Sequence, residues 1–223
     1  MRVLDLGAGT GSNLRGIAPI LPGPQTWYVI DYDSRLLDHL WTHMTDVVTI
    51  RRQADLAQSL ELVLAEASPD LVTAAAFFDL VSADWIARLV TAISRVGAPL
   101  YGTLIYTGEE TWWPPHPADG RILSAFLNHQ AGDKGLGKAL GSRSAVTLVD
   151  ALENAGFEVI TGPSDWKLTS LDRALMTALC DGIANAVQET REMDQAAIHS
   201  WRSARKIAEA CVIGHVDIFA VPR

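Results

Sequence analysis

Cysteine is scarce: Cys180 and Cys211 are the only two in 223 residues. That is too few for a disulfide framework and suits a reducing compartment, so the expected location is the cytoplasm. No apolar run approaches the roughly 18 residues that a membrane-crossing helix needs. The N-terminus lacks a signal-peptide pattern, because its apolar side chains are already spent on a strand. Positive charge is also short. Eighteen Lys and Arg stand against 26 Asp and Glu, a formal net charge of −8, which opposes binding to the polyanionic backbone of nucleic acid. Arg202, Arg205 and Lys206 come nearest to a basic stripe and read as a solvated helix face. The nucleophile elbow G-x-S-x-G, the P-loop lysine and paired-cysteine metal motifs are absent, which leaves hydrolase and kinase chemistry without support. His39 and His43 stand four apart on one helix, but no third ligand is evident nearby and a catalytic zinc needs three protein ligands, so no metal is expected.

What is present is 48% hydrophobic residues, enough for one domain of this length to bury its own core. The most informative stretch is Val3-Leu4-Asp5-Leu6-Gly7-Ala8-Gly9-Thr10-Gly11-Ser12-Asn13-Leu14. An apolar strand runs into alternating glycines and then a helix, the first half of a βαβ unit that places ligands at the carboxyl edge of a parallel sheet. Glycine lets a ligand approach the main chain where any side chain would clash. The dinucleotide fingerprint requires Gly or Ala where Ser12 stands, so a nicotinamide oxidoreductase is the disfavoured alternative. Asp5 interrupts a strand that would otherwise be uniformly apolar, and it suits a positively charged ligand. Asp31 follows the apolar run Trp27-Tyr28-Val29-Ile30, 20 residues past Gly11, and can accept hydrogen bonds from both hydroxyls of a ribose. Loop and acid together indicate an adenosine-bearing ligand.

Asp5-Leu6-Gly7-Ala8-Gly9-Thr10-Gly11 matches every defined position of the first motif of the class I S-adenosylmethionine-dependent methyltransferases, and at this point the chain resembles that family. The resemblance continues through Ile30-Asp31-Tyr32-Asp33, Ala54-Asp55-Leu56 and Asp70 to Leu80, about the first hundred residues. It implies a Rossmann-like α/β fold, doubly wound, with a mostly parallel seven-stranded sheet and S-adenosylmethionine as cofactor, S-adenosylhomocysteine being the product. Asp5, Gly7, Ala8, Gly9, Gly11 and Asn13 would then surround the methionine part. Asp31 and Tyr32 would hold the ribose side, Asp55 and Leu56 the adenine, and Ala74 would border the site from the fourth strand. The family's Asn/Asp-Pro-Pro-aromatic motif for amino groups on DNA, RNA and protein is missing after that strand, where Ala74 to Phe77 stand. The expected substrate is therefore a small-molecule acceptor, with neither nucleic acid nor membrane as a partner.

Periodicity predicts strands near 2–6, 27–31, 46–50, 70–75, 99–106, 157–160 and 216–221. It predicts helices from Ser34 (Leu36, Leu37, Leu40, Trp41, Met44), around Trp85 to Ile93, and from Ser144 to a stop at Gly156. The whole chain reads as one domain, 1–223, with two irregular segments. Residues 107–141, with Trp112-Trp113-Pro114-Pro115-His116-Pro117 and a short helix from Ile122 to His129, read as a lid over the acceptor. In it His116 and His129 are the candidate bases and Trp112, Trp113 and Asp133 the candidate acceptor contacts, joined by Tyr106 at the end of the fifth strand; Asp79, just after the fourth strand, is the third candidate for catalysis. Residues 165–212 read as two helices inserted before the last strand, a specificity or homodimer element. Family members carry helices ahead of the first strand. Here Met1 nearly begins it, so those helices are expected upstream of this sequence or replaced by the insertion. A cofactor-binding scaffold without catalysis is the remaining alternative.

Overall fold

The computed structural model describes residues 1–40 and 44–223; Trp41 and His43 lie outside them. The strands are β1 (Arg2–Leu6), β2 (Gln25–Asp31), β3 (Val47–Gln53), β4 (Leu71–Ala75), β5 (Leu100–Trp113), β6 (Phe157–Pro163), β7 (Trp166–Thr169) and β8 (Ala210–Pro222). The helices are α1 (Ser12–Ile17), α2 (Ser34–Asp38), α3 (Leu56–Ala67), α4 (Ala83–Val96), α5 (Asp119–Gln130), α6 (Ser144–Asn154), α7 (Arg173–Thr190) and α8 (Gln195–Lys206). The strands form one eight-stranded sheet in the order β3-β2-β1-β4-β5-β8-β6, with β7 also paired to β8. Pairing is parallel from β3 through β5, and β8 runs antiparallel to β5, β6 and β7.

This order creates a switch point between β1 and β4. From β1 the chain winds outward through β2 and β3, then returns to build β4 and β5 on the other side, so the loops after β1 and β4 diverge and leave a crevice. The local causes are legible. Gly11, at φ 84, turns the chain into α1. Asp55 and Ser82 cap α3 and α4 through hydrogen bonds from Ala57 N and Trp85 N, and Gly97 ends α4 in the left-handed conformation. The helices α3, α4 and α6 bury Leu60, Leu64, Ile86, Leu89 and Leu148 against one face of the sheet, while α1 and the α2 region cover Val3, Leu14, Trp27 and Val29 on the other.

The expected fold class is found, with three differences in extent. The sheet has eight strands rather than seven, because β7 stands at the start of the segment expected to be largely helical. The fifth strand does not stop at Tyr106. It continues through Trp113, and beside it β8 begins at Ala210, so residues 107–113 are paired strand rather than lid. Trp112 is buried and Trp113 exposed, as alternation along a strand requires, and Pro114 ends the ladder. The helix expected over Ile122 to His129 is the longer α5, which leaves 131–141 as the irregular remainder.

The extended ends of β5 and β8, with β7, support a second apolar core against α5, α7 and α8, including Trp112, Met176, Cys180, Ile183, Trp201 and Cys211. Arg205 is buried in it rather than solvated. Its guanidinium donates to Pro114 O at 2.9 Å and lies 5.7 Å from the centre of the Trp112 ring. Arg202 and Lys206 instead reach Asp181 on α7, at 2.6 and 2.9 Å, and staple the helical pair. The charges read as a solvated stripe therefore hold the insertion together.

Candidate active site

Two cavities meet at the carboxyl edge of the sheet. The larger, about 540 Å³, is lined by Gly7, Asp31, Tyr32, Ala54, Asp55, Leu56, Ala76, Phe77, Leu80 and Lys134 to Leu136. The smaller, about 200 Å³, is lined by Asp79, Leu104, Tyr106, Glu110, Phe126, Gln130, Trp166, Leu179, Ile183, Ile213 and His215. Ala76 lines both, just past the end of β4 and at φ 49, and Leu104 in the smaller cavity is also left-handed, at φ 53. Non-glycine residues in that region are strained, and such strain clusters at ligand sites.

The loop after β1 is built around Asp31. Gly9 N–H donates to its Oδ2 at 2.8 Å and Asp33 N–H to its Oδ1 at 2.9 Å, which fixes the carboxylate at the cavity wall. The three left-handed glycines have different tasks. A Cβ on Gly7 would strike the Phe77 ring and one on Gly11 would strike Leu40, whereas one on Gly9 meets nothing within 4 Å. Of the three, only Gly9 has open space beside it, although the glycine that lines the cavity is Gly7. Tyr32 is largely exposed at the rim, and Asp55 accepts from Ala57 N and Gln58 Nε2 while facing the cavity.

Beneath the loop Asp5 is 1% exposed, and neither carboxylate oxygen has a hydrogen-bond partner. Its polar neighbour Asn13 donates one amide proton to Thr73 Oγ1 at 2.6 Å and accepts from Thr103 Oγ1 at 2.9 Å, and the amide also acts on Asp5 to lower its pKa. Burial pushes the Asp5 carboxyl up to about 8. The Asn13 amide and burial act in opposite directions on this acid and burial prevails, so a buried acid this weakly paired fits a cationic group arriving with a ligand.

Of the remaining residues expected at the cofactor, Asp5, Ala8 and Asn13 pack below the loop and Ala74 is fully buried inside β4; none of these lines either cavity, nor do Gly9 and Gly11, so the loop after β1 contributes only Gly7 to the lining. The contacts from this side come from Ala76 and Phe77, past the strand end, where the chain leaves the sheet.

The expected bases are displaced. His116 lies between β5 and α5, where its Nδ1 accepts from Ala118 N at 3.2 Å and its Nε2 is 3.5 Å from Ser200 on α8. His129 joins α5 to α7 through Glu189, with Nε2 to Oε2 at 2.9 Å. Neither borders a cavity. Trp112 packs against Trp201 in the second core, Trp113 faces outward, and Asp133 closes a tight turn by accepting from Gly135 N at 2.7 Å. The aromatic wall is instead Tyr106, Phe126 and Trp166.

Asp79 and Tyr106 face the smaller cavity. The histidine there is His215, whose Nδ1 lies 3.0 Å from Ile213 O, so that nitrogen carries the proton and Nε2 is left as an acceptor. Burial lowers its pKa and keeps the ring neutral. Its sequence signal is a lone histidine in the apolar run Cys211 to Val216, just ahead of where the last strand was expected to begin. Glu110, also missed, accepts from Tyr106 Oη at 2.7 Å and Trp112 Nε1 at 3.3 Å, and burial raises its pKa.

Fold and site define an α/β protein with a crevice at the carboxyl edge of a mostly parallel sheet. Residues 3–99 match the model of the family described as a methyltransferase domain. A cyclopropane-fatty-acyl-phospholipid synthase-like protein from Lactobacillus casei is similar in structure, with a TM-score of 0.60 and 15% identity over 97% of this chain and 83% of that one. A protein assigned as a type II methyltransferase from Anaeromyxobacter dehalogenans gives a TM-score of 0.55 and 15% identity over 99% of this chain and 90% of its own. No curated protein sequence matches it. The methyltransferase-domain match thus covers the first part of the chain, residues 3–99, and over its whole length the likeness to solved structures is one of fold. Among the described residues no helix is long and apolar enough to cross a membrane.

Proposed function

We propose that the protein transfers a methyl group from S-adenosylmethionine to a small molecule held in the smaller cavity. The observation that carries this reading is the pair of cavities sharing Ala76, one with the polar wall of a nucleoside site and one with a largely apolar wall and a few buried polar groups. The cofactor supplies an electrophilic methyl on a sulfonium. The protein's part is to fix two ligands in line, which accounts for much of the acceleration in such a transfer. Asp31, immobilised by two backbone N–H groups, takes the ribose hydroxyls on its remaining lone pairs. Tyr32, Ala54, Asp55 and Leu56 border the adenine, and Asp5 answers the ammonium of the methionine part. Lys134 to Leu136 cover the site from the loop after α5. That loop is tied down by Ser82 N donating to Leu136 O at 3.2 Å and Leu140 N to Val81 O at 2.9 Å.

The test is calorimetric titration of S-adenosylhomocysteine into Asp31→Ala. Loss of hydrogen bonds to a charged acceptor should weaken binding by about 1.5–3 kcal/mol, or roughly tenfold or more. Unchanged affinity would remove Asp31 from the site.

A further inference from the structure

The smaller cavity has a directional polar character. Tyr106 spends its hydroxyl proton on Glu110, and Trp112 takes the other Glu110 oxygen. Gln130 Nε2 donates to Asp79 Oδ2 at 3.3 Å. Asp79 Oδ1 and Gln130 Oε1 remain, both buried and without a partner, together with Nε2 of His215. Asp79 is only 7% exposed. Burial raises the Asp79 pKa, and an ammonium favours its ionised form, in which all three free atoms accept hydrogen bonds; no Lys or Arg lines the cavity. A carboxylate or phosphate on the acceptor would meet two buried acids, Asp79 and Glu110, with nothing to neutralise it. A hydroxyl has one proton to offer, whereas an ammonium has up to three, and it also matches the charge. The rings of Tyr106, Phe126 and Trp166 around this point attract a cation further, and Leu104, Ile183 and Ile213 complete an apolar wall.

We propose that the methyl acceptor is a small amine on an apolar or aromatic body, its nitrogen held by Asp79 and Gln130 beside Ala76; this rests on the methyl-transfer reading above. The ammonium binds first against Asp79. His215 Nε2 then takes one of its protons, which exposes the nitrogen lone pair. That pair forms the new N–C bond as the C–S bond breaks, with the bonding electrons left on sulfur. The product is the methylated ammonium and a neutral thioether, and the proton on His215 passes to water. His215 is suited to this because burial keeps it neutral in the resting protein.

Calorimetry on the protein saturated with S-adenosylhomocysteine tests the assignment with three probes of similar shape: 2-phenylethylamine, 2-phenylethanol and 3-phenylpropanoate. The amine should bind about tenfold or more tighter than the alcohol, as a charged hydrogen bond implies, and the carboxylate weakest of the three. Asp79→Asn should erase the preference for the amine while S-adenosylhomocysteine affinity stays as in the native protein. Alcohol or carboxylate binding as tightly as the amine would overturn the proposal, and so would an undiminished preference in Asp79→Asn. If that variant does not fold, the three-probe ranking on the native protein decides alone. Absence of S-adenosylhomocysteine binding would overturn the methyl-transfer reading itself and this inference with it.

Discussion

Gly9→Val should yield a folded protein that no longer takes up S-adenosylhomocysteine. Gly9 sits at φ 54 with no heavy atom within 4 Å of where a Cβ would stand, so an added Cβ meets nothing of the protein and fills the open space that the proposed ligand would take beside the loop. The backbone conformation costs a non-glycine residue about 1–2 kcal/mol, which a domain of ordinary stability, about 5–15 kcal/mol, survives. Overpacking against a bound ligand costs about 1–3 kcal/mol or more, and loss of the loop's fit adds to it, so affinity should fall on the order of a hundredfold or beyond. Gly7→Ala is the contrasting case, because its Cβ meets the Phe77 ring. That variant should lower the melting temperature with no ligand present. Circular dichroism beside a binding titration separates the two, and a Gly9→Val protein that binds normally would show that this turn does not approach the ligand.

Asp5 should make stability and binding depend on pH in opposite ways. Its folded carboxyl is raised by burial, from an ordinary 3.8 to about 8. Below the unfolded value the group is protonated in both states and costs nothing. As pH rises from there, the unfolded chain gives up the proton while the folded one keeps it, so stability falls until about pH 8 and then levels. The cost at the plateau, at roughly 1.4 kcal/mol per pH unit over the rise from 3.8 to about 8, is on the order of 5–6 kcal/mol. Asp5→Asn should therefore stabilise the ligand-free protein, by an amount that grows between pH 5 and pH 8 in urea denaturation. A cationic ligand acts the other way and favours the ionised acid. At neutral pH, binding of S-adenosylhomocysteine should release about one proton, seen as a dependence of the calorimetric heat on the ionisation enthalpy of the buffer. Asp5→Asn should bind more weakly and release none. Heat that is independent of buffer in the native protein would mean that Asp5 faces no ligand charge.

The first half of the chain was readable because its signals are local. An apolar strand, a glycine turn and an acid at the end of the next strand are each determined by neighbours in sequence, and β1, α1, β2 and Asp31 stand where that pattern puts them. The second half depends on pairing between distant segments. Thr107 to Trp113 contains Gly108, Glu109 and Glu110, residues that weaken a strand pattern, and only its partner Ala210 to Ile213 makes it one. That extension decides everything downstream. It carries Glu110 into the smaller cavity and gives α5, α7 and α8 a surface to pack on. It also turns His116 and His129 away while His215 enters from the neighbouring strand. A histidine in an irregular segment marks a place in the chain, and its direction is set by contacts that have no local signature. The place of Asp79 beside the smaller cavity was readable because it follows β4 at the switch point, where strand order alone aims the chain at the crevice.

A crystal structure of the protein grown with S-adenosylhomocysteine tests the central claim most directly. The account predicts the nucleoside in the 540 Å³ cavity, with both ribose hydroxyls on Asp31, the adenine between Tyr32 and Leu56, the ammonium toward Asp5 and the sulfur at Ala76, facing the cavity that holds Asp79 and His215. The ligand bound elsewhere, or in that cavity with its sulfur turned away from Ala76, would contradict it.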